Sequence, residues 1–155
     1  MKNVFFYESK VGKIGIADDG NAVTNIYFES EAGEKDSQIR ETALIKEAHK
    51  QIEEYFDGNR KSFDIPISPS GTEFQQKVWN ALQTIPYGET RSYKDIAIAV
   101  GNEKACRAVG MANNRNPISI IIPCHRVIGK DGKLVGYGGG LQTKDYLLKL
   151  EKNNI

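Results

Sequence analysis

Two cysteines and two histidines are all that this 155-residue chain offers for soft nucleophilic chemistry, and one of each stands side by side. They are Cys124 and His125, in the run Ile122-Pro123-Cys124-His125-Arg126-Val127. A thiolate attacks where a thiol does not, so a working cysteine needs a neighbour that takes its proton or stabilises its charge. His125 is adjacent, and Arg126 adds positive charge nearby. An isolated Cys-His pair is more often a buried thiol beside a surface imidazole, because adjacency in sequence does not fix geometry. The context favours chemistry. The β-branched run Ile118-Ser119-Ile120-Ile121-Ile122 predicts a buried strand, Pro123 ends it and sets the angle of approach, and the thiol falls at the strand end. The other cysteine, Cys106, sits between two alanines and is expected to be a small buried residue. A structural zinc needs four soft ligands at paired short spacings, and this chain lacks them. Both thiols are therefore expected free, with no metal and no cofactor.

A second signal lies upstream. Ser92 can cap a helix over Tyr93 to Val100, Gly101-Asn102 makes a tight turn, and Lys104 to Ala112 begins another helix. Two short helices joined by a glycine-containing turn form a helix-turn-helix pattern. The second helix carries Lys104 and Arg107 among small residues, Ala105, Ala108, Gly110 and Ala112. Small residues let a helix approach a nucleic-acid groove, where Arg107 can reach a base or slip into the stack. Tyr93, between Arg91 and Lys94, can contact a phosphate or donate a proton. Asn113 to Pro117 reads as a loop, and the glycine run Gly136-Tyr137-Gly138-Gly139-Gly140 as a close-approach segment without the spacing of a dinucleotide fingerprint. Glu151 on the last helix is a candidate for orienting a histidine.

The elements that must position these residues divide into two halves. Residues 1–70 hold nine Lys and Arg against 13 Asp and Glu, whereas residues 71–155 hold 12 against seven, so the positive excess lies in the second half. A polyanion would be met there. The first half predicts strands around Asp18-Asp19-Gly20-Asn21, then an amphipathic helix from about Ser37 to Phe56 with Ile39, Ala43, Ile45, Ala48, Ile52 and Tyr55 on one stripe. Asp57-Gly58-Asn59 stops it, and Ser62 to Ile67 reads as a short extended piece. Pro66, Pro69 and Gly71 mark the boundary near residue 70. Thr72 with Gln75 predicts a capped helix through Phe74, Val78, Trp79 and Leu82, and a final helix over Thr143 to Lys152 turns Tyr146, Leu147 and Leu150 inward. The chain is 39% hydrophobic and 26% charged, ordinary for a globular protein. It has no membrane-length apolar run and no secretory leader, so a cytoplasmic protein is expected.

At this point the residues resemble a known family. The run Pro123-Cys124-His125-Arg126-Val127, with Asn116-Pro117 before it and Gly139-Gly140-Leu141 after it, is similar to the active-site signature of the O6-alkylguanine-DNA alkyltransferases. The likeness extends from Phe74 to Glu151 through Tyr87-Gly88, Ser92-Tyr93 and Arg107-Ala108-Val109-Gly110; over residues 1–70 only the strand-then-helix order agrees. The resemblance implies a ribonuclease-H-like α/β N-terminal subdomain over 1–70 and a mainly α helix-turn-helix domain over 71–155. It implies stoichiometric repair of O6-alkylguanine in double-stranded DNA, and it admits O4-alkylthymine. By the same resemblance Cys124 accepts the alkyl group, His125 is its base through water, Glu151 orients His125, and Asn116 holds the active-site turn. Tyr93 assists nucleotide rotation and protonates the departing guanine, and Arg107 fills the gap in the stack, with Ala108 and Arg115 at the DNA. Val127, Tyr137, Ser119 and Lys144 line or border the guanine pocket. Ser119 stands where some relatives have a proline and Gly138 where others have a serine, which implies a roomier or less polar pocket. The zinc ligands of some members are absent. A monomer without membrane or obligate protein partner is expected.

Two other functions fit parts of the sequence. A helix-turn-helix module that binds lesions without chemistry would retain DNA and form no thioether. A cysteine hydrolase using Cys124 and His125 would turn over repeatedly and leave Arg107 unexplained.

Overall fold

The computed structural model describes residues 1–28, 37–137 and 139–155. These group into two compact units, Met1–Ser70 with Pro117–Ile121, and Gly71–Asn116 with Ile122–Ile155. Residues 117–121, read in sequence with the second half, thus group with the first.

In the first unit, β1 (Asn3–Ser9), β2 (Gly12–Asp18) and β3 (Val23–Phe28) form an antiparallel meander, and the two-residue β4 (Gln38–Ile39) adds in parallel beside β1. The Asp-Asp-Gly-Asn signal makes the β2–β3 turn: the Asp19 carboxylate accepts from the backbone N–H of Asn21 and Ala22, both at 2.9 Å. The helix α1 (Ala43–Phe56) buries Ile45, Ala48, Ile52, Tyr55 and Phe56. It starts later than the apolar stripe predicts. Gln38 N–H donates to Lys2 O and Arg40 N–H to Val4 O, so these residues serve as a sheet edge, and Thr42 then caps the helix. Ile39 accordingly lies exposed rather than on the helix stripe. Of the Ser62–Ile67 piece, only Ile67 pairs, in a parallel bridge to Val23.

The buried strand predicted over Ile118–Ile122 is not one. Ile118 makes a single bridge to Ile26, and residues 119–121 form turns, with Ile120 at φ 76°. Its β-branched residues signalled burial, which is correct for Ile118, Ile120 and Ile122, but burial does not specify extended backbone. A β-branched residue in the left-handed region is strained and is held there only by its surroundings.

In the second unit, α2 (Glu73–Leu82) opens on the Thr72–Gln75 capping box, and Trp79 at its centre donates Nε1–H to Ala112 O at 2.9 Å. The Arg91–Ser92 strand, β5, pairs in parallel with β6 (Val127–Ile128). Ser92 also caps α3 (Tyr93–Ala99), with Asp95 completing the box. After a turn containing Gly101 at φ 88° comes α4 (Cys106–Asn114). Lys104 belongs to this turn rather than to the helix, and Asn113 and Asn114 belong to α4 rather than to a loop. Cys106 is half-buried, not buried, because it stands in the first helical turn with its Sγ toward Glu103 O. The last helix, α5 (Leu141–Asn153), buries Lys144, Leu147 and Glu151. Leu147 thus faces inward as its spacing predicts, whereas Tyr146 and Leu150 are half-buried and two charged residues take the other inward positions. No described helix is long and apolar enough to cross a membrane.

Candidate active site

The site is built on one short turn. Pro123, at φ −80° and ψ 63°, adopts inverse γ-turn geometry, and Cys124 N–H donates back to Ile122 O at 2.8 Å. The chain then winds into a single 3-10 turn, Cys124–Arg126. Two asparagines hold it from outside. Asn116 Nδ2 donates to the same Ile122 carbonyl at 2.8 Å, and the buried Asn113 donates to Cys124 O at 3.4 Å. Turn backbone left without partners in a buried position would cost about 1–3 kcal/mol per group.

Within this turn Cys124 is 3% exposed, His125 0% and Arg126 7%. His125 and Arg126 both bond to α5, whose Glu151 is 1% exposed. Glu151 Oε2 meets His125 Nε2 at 2.5 Å and accepts from Arg126 Nη2 at 3.1 Å. Its Oε1 accepts from Arg126 Nε at 2.8 Å and from Gly88 N–H at 3.1 Å. The remaining guanidinium nitrogen, Nη1, donates to Ile85 O at 2.7 Å. These bonds fall two on each carboxylate oxygen, so both are engaged.

The charge states follow. Burial pushes the Glu151 carboxyl up, but His125 and Arg126 more than reverse this and hold it at about 2. Burial, aided by the Arg126 and Lys144 cations, pushes the His125 imidazole below its ordinary range against the pull of Glu151. A neutral imidazole facing a carboxylate must carry its hydrogen on Nε2, since a carboxylate only accepts. The lone pair is then on Nδ1. The ring is a base, oriented and unprotonated.

Acid should therefore unfold this protein earlier than its carboxylates alone would. A buried neutral histidine protonates in the unfolded chain first, so stability erodes as pH falls below the ordinary value of 6.5. Glu151 adds its own loss as pH falls from 4.5, its unfolded value, toward 2. Thermal melts from pH 7.5 to 4 should drop continuously, and His125→Gln should flatten the upper part of that curve.

A second group surrounds the turn. Lys144, 0% exposed, donates from Nζ to Val127 O at 2.6 Å and Val135 O at 2.8 Å. Tyr93, at the start of α3, donates its hydroxyl to the same Val135 carbonyl at 3.2 Å. Burial lowers Lys144, an effect opposed by negative charge on Cys124; burial and that same charge raise Tyr93. Thiol, phenol and ammonium thus share one electrostatic neighbourhood. Val127 is buried, and Tyr137 half-buried beside Gly136, where an added Cβ would lie 2.7 Å from Asn114 Oδ1.

Residues 5–69 match the family model of the 6-O-methylguanine DNA methyltransferase ribonuclease-like domain, and residues 73–153 match that of its DNA binding domain. The chain belongs to the 6-O-methylguanine DNA methyltransferase family. It is similar to the methylated-DNA–protein-cysteine methyltransferase of Methanosarcina acetivorans, 53% identical over 94% of this chain and 95% of the relative. The Methanosarcina barkeri protein of the same name is 51% identical over 96% of each. The crystal structure of Mycobacterium tuberculosis OGT in complex with DNA superposes with a TM-score of 0.94 at 45% identity, covering 98% of this chain and 94% of that one. A sheet-bearing N-terminal unit and a helical C-terminal unit are the family's two parts.

Of the residues singled out in sequence, Cys124, His125, Glu151 and Asn116 meet at the turn, and Val127, Lys144 and Tyr93 meet around Val135. Arg107, Ala108 and Arg115 lie exposed along α4 and its C-cap, away from these contacts. Ser119 is buried and belongs to the first unit. Gly138 lies outside the described residues. In the sequence Asn113 reads only as a loop residue, Gly88 only as part of the family likeness, and Arg126 as positive charge near the thiol within the signature run. Nothing in a one-dimensional pattern marks Arg126, because its partner is 25 residues away. Among the described residues no three His, Cys, Asp or Glu side chains converge as metal ligands.

Proposed function

We propose that this protein repairs O6-alkylguanine in double-stranded DNA by moving the alkyl group onto Cys124 Sγ, once per chain. The observation that carries this reading is the buried pair that His125, in the same turn as Cys124, makes with Glu151 of α5, inside a family whose relatives bear the name methylated-DNA–protein-cysteine methyltransferase.

The thiol proton passes through water to His125 Nδ1. The thiolate attacks the alkyl carbon in line, a C–S bond forms and the C–O6 bond breaks. Tyr93 donates a proton to the departing guanine and regains one from His125 through solvent. Net, a thiol and an alkylated guanine become a thioether and guanine. No cofactor is needed, since the acceptor is the protein itself, and the thioether has no route back.

The target oxygen lies inside a base stack, so the nucleotide must be turned out at a cost of a few kcal/mol. In this reading α3, its turn and α4 act as a helix-turn-helix, with Arg107 filling the vacated stack, exposed Ala108 permitting close approach and Arg115 at a phosphate. Asn116 keeps the turn in shape; Val127, Tyr137 and Lys144 border the guanine. The first unit is ribonuclease-H-like, supported by a meander joined by a parallel strand and a helix, and residues 71–155 carry DNA binding and chemistry. The protein works as a cytoplasmic monomer.

Incubation with a duplex containing O6-methylguanine should add one methyl to the Cys124 peptide, read by mass spectrometry, and stop at one equivalent. An unmodified peptide with the lesion intact would sink the proposal. Arg107→Ala should slow repair of the duplex about tenfold, worth ~1.4 kcal/mol of the flipping cost, and leave reaction with free O6-benzylguanine unchanged.

A further inference from the structure

His125 is fully buried against an ionised carboxylate 2.5 Å away, an arrangement that ordinarily favours the imidazolium. A protonated His125 could not accept the Cys124 proton. The structure supplies a counterweight that the Cys–water–His–Glu sequence of groups does not include. Arg126 meets both Glu151 oxygens through Nε and Nη2, at 2.8 and 3.1 Å, and is pinned from behind by Ile85 O at 2.7 Å. Its guanidinium also stands 5.6 Å from the Tyr87 ring centroid. On the same carboxylate, Gly88 N–H donates to Oε1. Gly88 has φ 81°, and a Cβ there would lie 2.7 Å from Ile155 Cγ1, so the donor is fixed in a backbone that other residues would strain.

We propose that Arg126 is a positioning residue for the base: its guanidinium cancels the Glu151 charge, so that the carboxylate aims the imidazole without converting it to imidazolium. This rests on the alkyl-transfer reading for its kinetic arm only. Among the described residues, Lys144 from α5 acts on His125 and Tyr87 from the turn before β5 acts on Glu151, and Cys124 precedes His125 in the same short turn. Burial is the largest influence against a charged His125, Arg126 and then Lys144 add to it, and Glu151 opposes all three. Arg126 is the cation that touches the carboxylate directly, so its removal unmasks the largest opposing charge.

The test uses the whole protein. The chain has two histidines, so His49→Gln leaves His125 as the single imidazole for a proton–carbon NMR titration. In that background His125 should titrate below 6.5. With Arg126→Gln its midpoint should rise by roughly 1–3 pH units, the scale of one neighbouring charge. The acid limb of methyl transfer should rise with it, losing about tenfold per pH unit below the new midpoint. Arg126→Lys, which keeps the charge and loses the fork, should recover most of the acid limb. A merely structural Arg126 would lower transfer equally at every pH with the midpoint unmoved, and that result overturns the proposal. Should Arg126→Gln not fold, the parent titration and Arg126→Lys decide: a parent midpoint at or above 6.5 also overturns it. If the titrations behave as stated but no methyl transfers, the repair reading fails and the assignment of Arg126 stands.

Discussion

Cys124→Ala is expected to bind a duplex carrying O6-methylguanine and to return it unrepaired. Transfer should fall by on the order of 10⁶, the scale of removing a covalent nucleophile, which in practice is complete loss. Binding should persist, because Cys124 is 3% exposed and its turn is held by main-chain and asparagine bonds that the substitution leaves alone. Cys124→Ser is expected to be as inactive, since a hydroxyl does not ionise where a thiol can. The pair of variants, measured by lesion retention on a gel and by methyl count, also separates the competing functions. A lesion-binding module would not notice either change, and a hydrolase would show repeated turnover in the parent.

Glu151→Ala carries the second large effect, and it acts on stability and chemistry together. The substitution removes the acceptor of Arg126 and of fully buried His125, leaving a cation in the interior without its partner. Breaking a buried pair from one side costs about 3–5 kcal/mol, out of a total near 5–15 kcal/mol for a small protein. Urea denaturation should show that loss. At temperatures where the variant remains folded, methyl transfer should still be lower by about 10²–10⁴, the range of a general base's contribution. Glu151→Gln should regain part of the stability and little of the rate, because its amide presents donors where Arg126 and His125 also donate.

The parts of the fold that repeat a short local pattern were legible. Thr72–Gln75 and Ser92 cap their helices through side chain and backbone within three residues, and Asp18 to Asn21 turns a hairpin on its own contacts. Where distant partners decide, the sequence misleads. Ser37 to Ile39 has helical spacing but is claimed by the edge of β1, and Ile118 to Ile122 has the residues of a strand but meets β3 at one bridge before the backbone turns at Ile120. The site divides in the same way. Cys124-His125 is readable because the two are adjacent, and Glu151 is a candidate to orient a histidine that only the family likeness pairs with His125. Arg126 and Lys144 are hidden for a physical reason: charged residues on a buried face look like solvated ones until their partners, Glu151, Val127 O and Val135 O, are in place.

Glu151 reaches the catalytic turn from α5, across 25 residues to Arg126 and 63 to Gly88. The base is therefore assembled by docking of a helix rather than by any local segment. The last helix thus governs His125 and Arg126 together, and loss of α5 would take away the partner of both.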